Sequence, residues 1–225
     1  TYPQEPCVLT ACSDIESTDI AFYIDTRDNV SLNNCTSSTS NGITAYGFYI
    51  DGTCSNILLN DCIGVNIQSG ITLVGAVVLT SIKGCQLRQI GSASGGGRGI
   101  ELHPAASFIT IDDCTVADCY LSAIRTEAAQ QVMINNCFLY NFGSGNVSGD
   151  QHGILLNGDA NYKGAIVTNV STYNTTGGVA IGFDPTTTAG LFIIRECQAS
   201  GVIIDLTNAP SNTIVERNYP ASYST

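Results

Sequence analysis

Asn56-Ile57-Leu58-Leu59-Asn60-Asp61-Cys62, preceded by Gly47-Phe48-Tyr49-Ile50-Asp51, carries the pattern that decides the fold. Apolar residues alternate at period 2, and a polar pair and a cysteine then close the run. That period is the signature of a strand with one face buried. The unit recurs from Cys7 to Cys12, Val30 to Cys35, Thr80 to Cys85, Ile109 to Cys114 and Val132 to Cys137. It returns as Ala165 to Val170, Phe192 to Cys197 and Thr213 to Asn218. Its central column reads Leu9, Leu32, Leu59, Ile82, Ile111, Ile134, Val167, Ile194 and Val215, at intervals of 21 to 33 residues. Every member is a branched aliphatic.

A second short strand follows each unit, as in Phe22-Tyr23-Ile24, Phe48-Tyr49-Ile50, Ile100-Glu101-Leu102 and Ile154-Leu155-Leu156. The seventh copy is read as Val179-Ala180-Ile181, and Gly or Ala precedes each copy. Strands this short cannot hide an apolar face alone, but stacking equivalent strands in register buries one continuous column per position. The expectation is an all-β chain forming a single-stranded right-handed parallel β-helix (solenoid) of about eight rungs. Rungs would lie ~4.8 Å apart. Residues 1–225 read as one such domain, a module or fragment of a larger protein or assembly.

These runs resemble the right-handed parallel β-helix repeat superfamily, which includes pectate-lyase-like enzymes, mannuronan epimerases and phage tailspikes. The resemblance implies the fold along nearly the whole chain. It implies little about function, because the shared residues are core residues. The calcium-binding acids and catalytic motifs of the lyases and epimerases have no residue-by-residue match here.

The net charge is −11, and only 12% of residues are charged against 44% hydrophobic. A chain so poor in Lys and Arg is not expected to bind nucleic acid, which requires displacement of counterions from phosphate. No apolar run reaches the ~18 residues of a membrane-spanning helix, and no membrane insertion is expected. Polysaccharides or other glycans remain compatible partners, directly or through Ca2+; no other cofactor is expected. An extracellular, cell-surface or virion-surface setting fits. Terminal strand edges invite pairing, so a homo-oligomer or larger assembly through end-rung or lateral contacts is expected.

Seven of the ten cysteines, Cys12, Cys35, Cys62, Cys85, Cys114, Cys137 and Cys197, share one repeat position. Stacked a strand spacing apart, they fit a ladder of buried free thiols better than disulfides, whose Cβ atoms want ~3.8 Å. Val170 in the same column suits plain packing. Cys54 and Cys119 lie near apparent turns and read as the most accessible. With no Cys-x-x-Cys pair and two histidines, no metal centre is expected.

A β-helix interior is full, so chemistry belongs on outward strand positions or in long turns. The longest turns cover Thr36–Tyr46, Arg88–Arg98 and Tyr140–His152, and the last two are Gly-rich. Between them, aligned outward positions gather Glu101, His103, Arg125, Glu127 and Asn157. Glu101 and Glu127 with His103 form the catalytic candidates, since paired carboxylates and an imidazole can move protons. Arg98, Arg125, Asn157, Asp150 and His152 are the substrate-binding candidates. The bland alternative is a set of exposed ion pairs between neighbouring strands, Glu101 with Arg125 above all. Sequons at Asn29, Asn34, Asn146, Asn169 and Asn174 are near the number chance would give. Three readings follow: a scaffold module that binds glycans or a receptor, a polysaccharide lyase, glycoside hydrolase or epimerase, and a purely structural filament or capsid part.

Overall fold

The computed structural model describes residues 5–16, 18–39, 46–92, 96–145, 150–157, 164–174, 178–185, 187 and 190–224. Its strands stack as a parallel β-solenoid of about seven turns with three faces. The first face has nine strands among the described residues: Cys7–Thr10, Asp28–Asn33, Thr53–Asn60, Ala76–Lys83, Ser107–Asp112, Gln130–Asn135, Ala165–Thr168, Ile193–Arg195 and Ile214–Glu216. The repeat column lies in strict register along it, from Leu9 opposite Leu32 to Ile194 opposite Val215. From Ile57 to Ile194 this face buries its inward side chains almost completely.

The expected eight rungs overcount by about one turn, because the last interval does not close a regular third face. There, Gln198–Asp205 runs as one strand from the second face into the third, and its pairing shifts register between Val179 and Ile181. The seventh rung also corrects the alignment read from sequence. Ile181, not Val179, pairs with Ile154, and Gly182 stands opposite Leu155. A slip of two residues keeps every side chain on its own side of the strand, so the apolar pattern alone does not reveal it.

The second face was not separated in the sequence. Strands such as Thr36–Ser38, Gln86–Ile90 and Phe138–Tyr140 occupy it, inside stretches read as variable turns. Its inward column reads Ser37, Gly64, Leu87, Val116, Leu139, Thr172 and Ala199. The polar and small members blunt the period-2 signal. Of the three long turns, positions 40–45, 93–95 and 146–149 lie outside the described residues, as does the sequon Asn146.

Corners are built economically. After the first face, one residue per turn adopts φ near +53°: Asn34, Asp61, Asp113, Asn136 and Asn169 are examples. Asn and Asp tolerate this left-handed region best among residues bearing a Cβ. At the corner into the third face the chains approach so closely that a Cβ added at Gly99 would sit 2.5 Å from the Ala123 carbonyl oxygen. This explains the small residue before each third-face strand.

The cysteine column is a ladder of free thiols. Cys35, Cys62, Cys85, Cys114 and Cys197 each donate to the carbonyl of the repeat-column residue one turn below, at 3.5 to 3.8 Å. Burial pushes the Cys197 thiol up to about 11, so it stays protonated and inert. The expected accessibility of Cys54 and Cys119 is corrected: both are fully buried. Cys54 lies second in a longer strand than its turn-like surroundings imply, and Cys119 takes the inward position opposite Ile90. Cys7 and Cys12 are the accessible thiols, because the first turn has no neighbour among the described residues to cover it.

A thiol reagent should therefore label two cysteines rapidly in the native protein and ten after denaturation; rapid labelling at Cys54 would contradict the packing. Ile111→Ala, which empties part of a fully buried column, should cost about 3–4 kcal/mol in urea unfolding.

Candidate functional site

The third face carries the candidate site on consecutive strands Ile100–Leu102, Ile124–Glu127 and His152–Asn157. Parallel pairing sets Glu101 opposite Arg125 and Arg125 opposite Leu155, with Glu127 opposite Asn157. Alternation points these side chains away from the core that Ile100, Leu102, Ile124 and Thr126 enter, although Glu101 and Leu155 are themselves covered.

Six of the eight candidates converge in one network. Arg98 Nη1 donates to Glu101 Oε1 at 2.7 Å, and its Nε donates to Asp150 Oδ2 at 3.0 Å. Arg125 Nη2 lies 2.6 Å from Glu127 Oε1, and its Nη1 lies 3.7 Å from Glu101 Oε1. His103 sits between the carboxylates, with Nδ1 3.3 Å from Glu127 Oε2 and Nε2 3.7 Å from Glu101 Oε2. Arg98 and Asp150 belong to different Gly-rich turns, so their bond ties the bases of the two turns together. Asn157 stands beside Glu127 at the edge of the group. His152 is separate: its ring packs over Gly182, where an added Cβ would lie 2.7 Å from the imidazole.

Sequence reasoning missed Ser122, which is fully buried and donates its hydroxyl to Asp150. Nothing in its neighbourhood distinguishes it from other turn serines. The tyrosines two and three turns below were visible as outward positions but were not grouped with the site. The Tyr23 and Tyr49 rings lie 5.9 Å apart, and Tyr46 meets Tyr49 edge-on at 5.1 Å. Thr72 separates Tyr49 from Glu101 in the same column.

Burial opposes the charged form of Glu101. The close approach of His103 and the charges of Arg98, His103 and Arg125 outweigh it, holding the carboxyl below its ordinary value. Asp150 is lowered likewise: burial opposes ionisation, and bonds from Arg98 and Ser122 overcome it. The carboxylate of Glu101 beside it raises His103 against its partial burial, and the charge of Glu127 adds to this. His152 moves the other way, because burial disfavours its imidazolium despite Asp150, Asp205 and Asp184.

The network has three carboxylates and two guanidinium groups, and a protonated His103 brings it to neutrality. Oxygens of Glu101 and Glu127 and a nitrogen of His103 lie within 4.8 Å of one another, a spacing that could hold a cation. Calcium there would have to displace Arg125, which contacts both carboxylates. The donor set is already neutralised from within the chain and fits a divalent ion poorly.

The sign of each shift fixes its pH dependence. His103 contributes stability fully below its unfolded value of about 6.5, and this is lost as pH rises through the higher folded value. The effect of His152 is present above about 6.5 and is lost as pH falls through its lowered value. Contributions from Glu101 and Asp150 are lost as pH falls through their lowered values. The two imidazoles should titrate on opposite sides of 6.5 in an NMR experiment, His103 above and His152 below; two titrations on the same side would contradict the geometry. Arg98→Ala leaves the largely buried Asp150 with no guanidinium bonded to it and Glu101 with only the more distant Arg125, and should cost about 3 kcal/mol in thermal or urea unfolding.

Comparisons with protein-family models, curated proteins and solved structures gave no match.

Proposed function

We propose that this chain is a glycan-binding scaffold module, displayed on an extracellular, cell or virion surface, whose binding surface is the third face. The right-handed β-helix repeat superfamily is the kinship this reading adopts. The observation that carries it is one column on the side of the third face away from the core: the partly exposed rings of Tyr23 and Tyr49 and, beyond a buried Thr72, the fixed cluster at Glu101 and Arg125. Aromatic rings offer an apolar platform with a polar tip, which suits the C–H faces of sugars. Carboxylates and guanidinium groups held by mutual contacts can hydrogen-bond hydroxyls with little further ordering. A protein of net charge −11 favours neutral glycans over acidic ones.

The same network argues against carboxylate catalysis. A glycosidase acid must hold its proton at working pH, whereas Glu101 is driven toward its ionised form. The alternative of a polysaccharide lyase, glycoside hydrolase or epimerase draws support from His103, whose raised value favours its proton-carrying form.

A glycan array separates the readings. Wild-type protein should retain a set of neutral glycans, and Tyr23→Ala with Tyr49→Ala should lower their affinity at least tenfold, at about 1.4 kcal/mol per decade. Unchanged binding would refute this face as the binding surface. Incubation of the retained glycans with wild type and Glu101→Gln should give identical, uncut material. Shortened chains from wild type alone would establish the enzyme.

A further inference from the structure

The outward side of the first face, remote from the sugar-binding column, carries a different pattern. One outward column runs Met133, Ile166, Ile193 and Ile214 over its last four strands. Beside it, Leu79 and Phe108 are 59% and 53% exposed and hold φ of +53° and +56°. Bulky apolar residues are rarely found in that left-handed region. A strained backbone that presents an apolar side chain to solvent suggests a role for the exposed group. Leu191, 47% exposed, occupies the equivalent place near the far end.

On the other side of the apolar column a polar ladder runs in register: Lys83, Asp112, Asn135, Thr168, Arg195, Glu216. Read by charge it is plus, minus, neutral, neutral, plus, minus. Reversed, every plus meets a minus and every neutral meets a neutral. Among the described residues none of its four charged members is in an ion pair, and Arg195 Nε is buried without a hydrogen-bond partner.

We propose that this face is the contact between two antiparallel copies of the chain, related by a two-fold axis along the strand direction midway between Gln130–Asn135 and Ala165–Thr168. That axis lays each column over its own counterpart. Met133 of each copy then faces Ile166 of the other, and Phe108 faces Leu191. Asp112 faces Arg195 and Lys83 faces Glu216, each pair occurring twice. An axis parallel to the solenoid would instead lay the charged ladder over Phe108 and Leu191. The result has the anatomy of a specific interface, with an apolar centre and a charged rim. Six strands at ~4.8 Å and three columns give a patch of roughly 30 by 18 Å, or about 1,000 Å² over both copies, the lower bound for a specific contact.

The proposal is independent of the glycan reading, which uses another face, and either can fail alone. The test is sedimentation equilibrium of the full chain from about 1 to about 500 µM at ~0.15 M salt. Wild type should reach twice its 23.6 kDa mass, with a dissociation constant on the order of 10 µM. Asp112→Arg alone and Arg195→Asp alone should each weaken association at least tenfold, by setting like charges opposite at two places. An equimolar mixture of the two variants should recover dimers, since each mixed pair restores opposite charges at both places. Lys83→Glu and Glu216→Lys, both at exposed positions, repeat the exchange if Arg195→Asp folds poorly. A wild type that stays monomeric at the highest concentration would overturn the proposal. So would assemblies larger than two, a dimer indifferent to single reversals, or a mixture that does not recover.

Discussion

Everything in this molecule depends on residue-for-residue parallel pairing between successive turns. Each first-face strand is three to eight residues long and is stable only because the turns above and below satisfy its backbone and cover its apolar side. Register converts one-dimensional sequence into columns: aliphatic, thiol, left-handed corner, outward polar. A slip of one residue would invert every column it touches, whereas a slip of two leaves inside and outside unchanged. The seventh rung uses that freedom, and it is also where the coil begins to lose regularity.

The charged cluster is a product of the same rule. Glu101, Arg125 and Leu155 are not neighbours in sequence, yet pairing places them on adjacent strands of one column. The turns that interrupt the repeat add what stacking cannot, since Arg98 and Asp150 bridge from one turn to another two rungs away. The group therefore fastens two long surface segments to a rigid wall. Its charges are fixed by one another through contacts within the chain.

Legibility in the sequence followed the strength of each column. The nine aliphatic positions of the first face and the thiol ladder were readable because their chemistry hardly varies. The second face was not, because Ser37, Gly64 and Thr172 interrupt its apolar members. Accessibility of Cys54 and Cys119 was misread for a related reason: strand ends beside Gly, Asn or Asp look like turns unless the neighbouring turn is known. At the site, Glu101 with Arg125 and Glu127 could be aligned from the repeat. The contact of Arg98 with Asp150 and the role of Ser122 needed the three-dimensional path of two turns that share no pattern. Ring packing over Gly182 removed His152 from the cluster, and no periodicity encodes that.

The thiol ladder has a consequence for how the chain is made. Its native state is the reduced one, with cysteine side chains hydrogen-bonded to backbone and unable to cross-link without breaking register. An unfolded chain with ten thiols has no such protection, and in an oxidising medium any encounter between two of them would lock in a bond that the stack has no room for. Adjacent turns are only 21 to 33 residues apart, so coiling can proceed locally and sequester each sulfur as its rung is laid down. Assembly is thus a race between winding and oxidation, and it is safest where the chain is synthesised reduced and reaches an oxidising surface only after the coil has closed over its sulfurs.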